Sequence, residues 1–199
     1  MSTDNLNSTK QELNDFSGIL SSYKTEVWSS FPGIDLYMDQ VVTYLEKLLN
    51  TFNDDDKNKV ITSSMVNNYV KEGYLKRPVN KKYDRVHLVS LYIMSMLKPI
   101  LPISLIAGSL QNFENEQKYR IFFEEFTTMQ DEAFNNVSHK LAAALNQITD
   151  DKDYETALRL FALQLTSEAN AHRIAAEKIL ETLNKNNNSA KISDKEKNK

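Results

Sequence analysis

All four prolines of the chain, Pro32, Pro78, Pro99 and Pro102, fall within its first 102 residues, and only four glycines accompany them in 199. Beyond Pro102 the chain runs on without a proline, which favours long helices. Cysteine is absent, which excludes disulfides, thiolate metal sites and cysteine nucleophiles and suits a reducing compartment. A hydrophobic content of 41% is enough for a core. The first 20 residues are polar, without a basic start and an apolar block, so a cytoplasmic location is expected. The most apolar stretch, 88–106, is interrupted by Lys98, Pro99 and Pro102. It is too short to span a bilayer and reads as buried core.

Residues 1–30 are polar, with loose helical spacing of Leu13, Phe16, Leu20 and Tyr23, and read as a tail or a short helix. Over 34–52, Tyr37, Met38, Val41, Leu45, Leu48, Leu49 and Phe52 mark one face of a helix begun by Asp35. A charged loop, 53–59, follows; its triplet Asp54, Asp55 and Asp56 lacks the glycine and terminal glutamate of a calcium loop. Thr62 is then a good N-cap for a short helix that buries Met65, Tyr69 and Val70 and ends at Gly73. Residues 74–83, with Pro78, Asn80 and four basic side chains, read as an exposed turn or small wing. Asp84 can cap the next helix, through Leu88, Leu91, Tyr92, Met94 and Met96, and Ser104 a further one through Leu110.

From residue 116 the spacing is heptad-like: Tyr119, Phe122, Phe123, Phe126, Met129, Ala133, Val137, Leu141, Ala144 and Ile148. A break at 149–153 precedes a second long helix marked by Tyr154, Leu158, Phe161, Leu165, Ala169, His172, Ala176, Ile179 and Leu183. Two such helices predict an antiparallel hairpin whose remaining apolar surface could pair with a second copy. The expected organisation is all-α: a tail over 1–30, a helix-turn-helix module over 31–112, a dimerisation or sensor hairpin over 113–184, and a disordered tail over 185–199.

Charge is unevenly distributed. The net charge is −3, yet residues 60–100 hold seven basic side chains (Lys71, Lys76, Arg77, Lys81, Lys82, Arg85 and Lys98) against Glu72 and Asp84. A basic island in an acidic chain is the electrostatic footprint of a polyanion partner. A helix that enters a DNA major groove needs short polar side chains near its start and cations beside the phosphates. Ser63, Ser64, Asn67, Asn68 and Lys71 fall on the face away from Met65, Tyr69 and Val70, and asparagine can bond both N6 and N7 of adenine. Lys76, Arg77, Lys81 and Lys82 would meet the phosphates, while Tyr83 is expected in the core. The plainer alternative is a solvated polar face.

The segment from Ile61 to Leu75, followed by Lys81-Lys82-Tyr83 and an apolar helix, resembles MerR-type regulators. Those proteins place a recognition helix before a glycine-hydrophobic-leucine end, then a wing with a basic-tyrosine element, then an apolar helix. The resemblance covers roughly 34–110. More closely, Leu36-Tyr37-Met38-Asp39-Gln40, Asn67-Asn68-Tyr69 and Lys81-Lys82-Tyr83 are similar to a bacterial domain-of-unknown-function family with a predicted MerR-like helix-turn-helix. The resemblance implies a winged helix-turn-helix bound to double-stranded DNA, acting as a homodimer in transcription, with repression favoured for want of any sign of an activating mechanism.

Catalysis is not expected. His87, His139 and His172 are far apart, and only Glu168 with His172 has helical i, i+4 spacing. There is no glycine-rich phosphate loop, serine elbow or zinc-binding helix motif, so no cofactor is expected. His87, near the start of an apolar helix, is expected to be structural. The alternative function is a helical protein-interaction scaffold that has lost DNA binding.

Overall fold

Long proline-free segments become long helices. The computed structural model describes residues 3–49, 59–148 and 154–197. Among them the order is α1 (Thr3–Ser22), a 3-10 turn (Trp28–Ser30), β1 (Leu36–Tyr37), α2 (Met38–Leu49), α3 (Ser63–Lys71), β2 (Lys82–Tyr83), α4 (Arg85–Leu97), α5 (Ile103–Ser109), α6 (Glu116–Gln147) and α7 (Tyr154–Lys197). The structure is mostly helical, with one small two-stranded sheet. No helix among the described residues is long and apolar enough to cross a membrane. Phe52, the acidic triplet Asp54, Asp55 and Asp56, and the break at 149–153 lie outside the described residues.

Two units divide the chain, one formed by Met1–Val27 with Glu124–Ala171, the other by Trp28–Phe123 with His172–Lys199. In the first, α1 is a full helix rather than the tail expected over 1–30, because α6 and α7 give it a surface to cover. Leu20 is buried with Leu141, Leu145 and Tyr154, flanked by Leu13, Phe134, Ile148, Leu158 and Phe161. Small side chains let α1 and α6 approach closely. The Ser138 hydroxyl donates to the Ser17 carbonyl at 2.8 Å and the Ser17 hydroxyl lies 3.1 Å from the Ser138 carbonyl. Asp131 accepts from both the amide and the hydroxyl of Thr25 at 2.7 Å, and the Tyr23 and Phe134 rings lie 4.3 Å apart. Within this unit α6 and α7 run antiparallel, Leu145 near Tyr154 and Lys140 bonded to Glu168 at 2.6 Å.

The expected stripe of α6 is corrected in its middle. Met129, Ala133 and Val137 are exposed, while Thr127, Ser138 and Leu145 are buried. A straight helix of 3.6 residues per turn drifts away from a 3.5 repeat, so a heptad read along 32 residues leaves the buried face. The C-terminal segment also differs from the disordered tail expected: α7 continues to Lys197 with no proline or glycine to stop it.

The second unit is built around α4. His87, Leu88, Val89, Ser90, Leu91, Tyr92, Ile93, Met94 and Ser95 are all buried. α2 and α5 pack against it, burying Val41, Leu45, Ile106 and Ala107, while α3 packs against α2 and buries Val66 and Tyr69. An aromatic cluster closes one side, with Phe31 edge-on to Tyr92 at 5.4 Å and to Phe123 at 5.6 Å. Gly108 makes room for a close approach, since a Cβ there would come within 2.4 Å of the Asn184 amide.

Three local expectations are corrected here. The helix expected from Asp35 starts instead at Met38, because Leu36 and Tyr37 pair as β1 with Tyr83 and Lys82. Ser104 is not a cap: α5 begins at Ile103 after Pro102, with no side-chain cap bond. In α3 the deepest residue is Val66, with Met65 and Val70 half-buried.

Phe31→Ala should destabilise this unit by about 3–5 kcal/mol, the cost of emptying a large aromatic site in a packed core. Urea denaturation followed by fluorescence of Trp28, the single tryptophan, which lies 6.1 Å from Phe123, reads this unit directly. A loss under 1 kcal/mol would mean that the cluster closes around the missing ring.

Candidate nucleic-acid interface

The short helix α3 is defined at both ends by side-chain chemistry. Thr62 is extended, with φ −136° and ψ 158°, and its hydroxyl accepts from the Met65 amide at 3.2 Å. Gly73 is left-handed at φ 74°. The Tyr74 amide donates to the Tyr69 carbonyl at 2.8 Å and the Gly73 amide to the Val70 carbonyl at 3.3 Å, a Schellman closure. Because Val66 and Tyr69 are buried, rotation of the helix is determined. Ser63, Ser64, Asn67, Asn68 and Lys71 are accordingly all exposed, which brings the five sequence-derived residues of this helix onto one solvent-facing surface.

The turn after α3 is a tight hairpin. Asn80 and Lys81 have φ of 50° and 62°, and the Lys82 amide donates to the Val79 carbonyl at 2.9 Å. Two consecutive positive φ values mark a type I′ two-residue loop, whose twist suits the flanking strands. Val79 bridges Lys82 on one side while β1 pairs β2 on the other, Leu36 with Tyr83 and Tyr37 with Lys82. Tyr83 anchors the strand in the core, and burial pushes its phenol pKa up. Lys81 is therefore held out at the tip, and Lys76 and Arg77 are exposed on the approach.

Not every cation of the basic island is available. Lys82 is half-buried, its ammonium over the Tyr37 ring at 5.3 Å. Arg85 lies over Trp28 at 5.7 Å and donates to the Pro32 carbonyl at 3.4 Å. Lys98 donates to the Val60 carbonyl and contacts the Met65 sulfur at 3.7 Å; burial pulls its pKa down. The exposed cations of the island are Lys71, Lys76, Arg77 and Lys81.

Behind this face, Asp84 caps α4, its Oδ1 accepting from the His87 amide at 3.0 Å. His87 reciprocates, its Nδ1 2.7 Å from the same oxygen. The Asp84 amide in turn lies 3.3 Å from Nδ1, so the two residues close a capping box. The side-chain bond from His87 is the main reason the Asp84 carboxyl is held below its ordinary range, against an opposing desolvation. Sequence reasoning treated His87 as simply structural; its Nε2 is buried without a protein partner. His139 and His172 are exposed, and Glu168 is engaged by Lys140 at 2.6 Å and Gln164 at 3.1 Å.

Residues 26–135, more than half of the chain, match a family model described as Domain of unknown function (DUF1836). No curated protein and no solved structure matches the chain. The matched segment contains β1, α2, α3, the hairpin, α4 and α5, together with much of α6.

Asp84→Ala should cost about 1 kcal/mol near neutral pH, the usual loss of an N-cap. A carboxyl whose folded-state pKa is depressed stabilises above its unfolded value and loses that contribution as pH falls through the folded one. The difference between wild type and variant in thermal denaturation should thus shrink below about pH 4. A gap unchanged down to pH 2 would contradict the cap's ionic character.

Proposed function

The chain belongs to the DUF1836 family, and we propose that it is a sequence-specific DNA-binding transcriptional regulator with a MerR-like winged helix-turn-helix. One observation carries this reading: a helix capped at both ends presents only short polar and basic side chains to solvent, and a tight hairpin with an exposed lysine at its tip follows it. The order of strand, helix, polar helix, hairpin and apolar helix supports it as well, since a wing beside a reading helix needs that connectivity. In this reading α3 enters the major groove, Asn67 and Asn68 contact base edges with Ser63 and Ser64 beside them, and Lys71, Lys76, Arg77 and Lys81 meet phosphates. Lys82 contributes less, being committed to Tyr37.

The same proposal includes a homodimer on a pseudo-palindromic operator, joined through 116–183, and repression as the outcome. Leu160 and Leu163 are both 62% exposed one helical turn apart, and Ile179 and Leu183 are also exposed. Apolar side chains paired at i, i+3 and i, i+4 are what a helix offers a partner helix. Light scattering should give twice the chain mass at micromolar concentration, and Leu160→Glu with Leu163→Glu should reduce it to a monomer. A monomeric wild type would remove the dimer from the account.

Fluorescence anisotropy with duplex DNA from the gene's own upstream region tests the binding face. Asn67→Ala or Asn68→Ala should lose about 1–3 kcal/mol on the specific site with little loss on random duplex. Lys81→Ala should weaken both duplexes and flatten the log-log salt slope by about 0.9, one phosphate contact. Lys82→Ala should change the slope less. Unchanged affinities in a folded Lys81→Ala and Asn67→Ala pair would leave the face as solvated surface and favour a protein-interaction scaffold.

A further inference from the structure

Two side chains from elsewhere in the second unit hold α3 by its ends. At its start, the Lys98 ammonium at the end of α4 donates to the Val60 carbonyl, two residues before the Thr62 cap, and lies 3.7 Å from the Met65 sulfur in the first turn. At its close, Gln111, in the segment between α5 and α6, donates from Nε2 to the Gly73 carbonyl at 3.0 Å. Each bond joins residues 38 apart in sequence.

Packing alone does not call for either residue. Lys98 is half-buried, and among the described residues its ammonium has a carbonyl and a thioether as partners and no carboxylate. Burial accordingly pulls its pKa down. Taking an ammonium out of water without an anion carries a cost that a leucine or methionine there would avoid. What the ammonium adds is a directional donor on a long stem. Gln111 is exposed, so its amide is spent on a carbonyl that water could equally satisfy. The internal restraints of α3 leave these two bonds something to do. Buried Val66 and Tyr69 fix its rotation, while the Thr62 cap and the Gly73 closure bond the segment only to itself. A nine-residue helix held this way is less constrained in slide and tilt. Reading base edges needs side chains placed within about 0.5 Å. One external bond at each end restrains slide and tilt together.

Resting on the DNA reading of α3, we propose that Lys98 and Gln111 are positioning residues: they contact no DNA, and they hold the two ends of α3 so that Asn67 and Asn68 meet base edges in register. Loss of either bond lowers discrimination between sequences and leaves the phosphate contribution intact. A general loss of stability would instead weaken all DNA binding alike.

Three variants of the full-length protein test this, by amide exchange without DNA and by anisotropy with the gene's upstream duplex and a random one. Lys98→Met removes the donor and keeps the stem, Lys98→Arg keeps a donor, and Gln111→Ala alters an exposed side chain that folding does not need. Without DNA, Lys98→Met should speed exchange over 62–66 and Gln111→Ala over 70–75, each leaving the other end and the α4 amides at wild-type rates. With DNA, each should weaken the upstream duplex about tenfold, the weight of one misplaced base contact. Neither should change the random-duplex affinity or the salt slope. Lys98→Arg should restore the wild-type ratio. Unchanged exchange at both ends, or loosened ends with an unchanged affinity ratio, would overturn the positioning role and leave α3 as the reading helix. Equal losses on both duplexes, or a slope flattened by Lys98→Met, would overturn it too, the first as general destabilisation and the second as a direct phosphate contact. A wild type that binds the upstream duplex no better than the random one would overturn the DNA reading itself, and the positioning role with it.

Discussion

Nine consecutive residues of α4, from His87 to Ser95, are buried, so this helix must be covered in every direction. That one requirement accounts for most of the second unit. A helix with no solvent face needs α2, α5, β2 and the aromatic residues around Phe31 as walls, and the serine hydroxyls and the imidazole inside it need partners. Ser90 finds Val86 and Tyr119, and burial lifts the Tyr119 phenol above its ordinary range. His87 finds the Asp84 cap with one nitrogen and nothing with the other.

The exposed face of α3 follows from the same burial. Val66 and Tyr69 are drawn into the core, and Ser63, Ser64, Asn67 and Asn68 are thereby left facing water. The hairpin is tied down in turn by Tyr83 in the core and by β1, which pairs with β2 across more than forty residues of sequence. Its rigidity comes at a local conformational cost, since Asn80 and Lys81 both occupy a region that non-glycine residues visit seldom. A lysine held there at the tip of a tight loop is presented outward with little freedom to fold back.

What the sequence made legible was local. Thr62, Gly73 and Asp84 were readable as caps because a cap depends on three or four neighbouring residues, and the polar face of α3 was readable from its period. What stayed hidden was settled by distant partners. Leu36 and Tyr37 are a strand only because Tyr83 and Lys82 lie beside them, and α1 is a docked helix because Ser17 and Ser138 exchange hydrogen bonds over 121 residues. Lys98 belongs to the basic island in sequence, yet its ammonium is engaged by the Val60 carbonyl and Met65, neither of them near it in the chain. The bond from Gln111 to the Gly73 carbonyl is of the same kind, since 38 residues separate its ends.

Hydrogen–deuterium exchange of the full chain, with and without duplex DNA at saturating concentration and low salt, tests the central claim most directly. Bound DNA should slow exchange of the amides over 63–71 and 76–82 and leave the buried amides of α4 as they were. No protection anywhere, or protection confined to α1 and α7, would contradict the assignment of α3 and its hairpin as the surface that meets DNA.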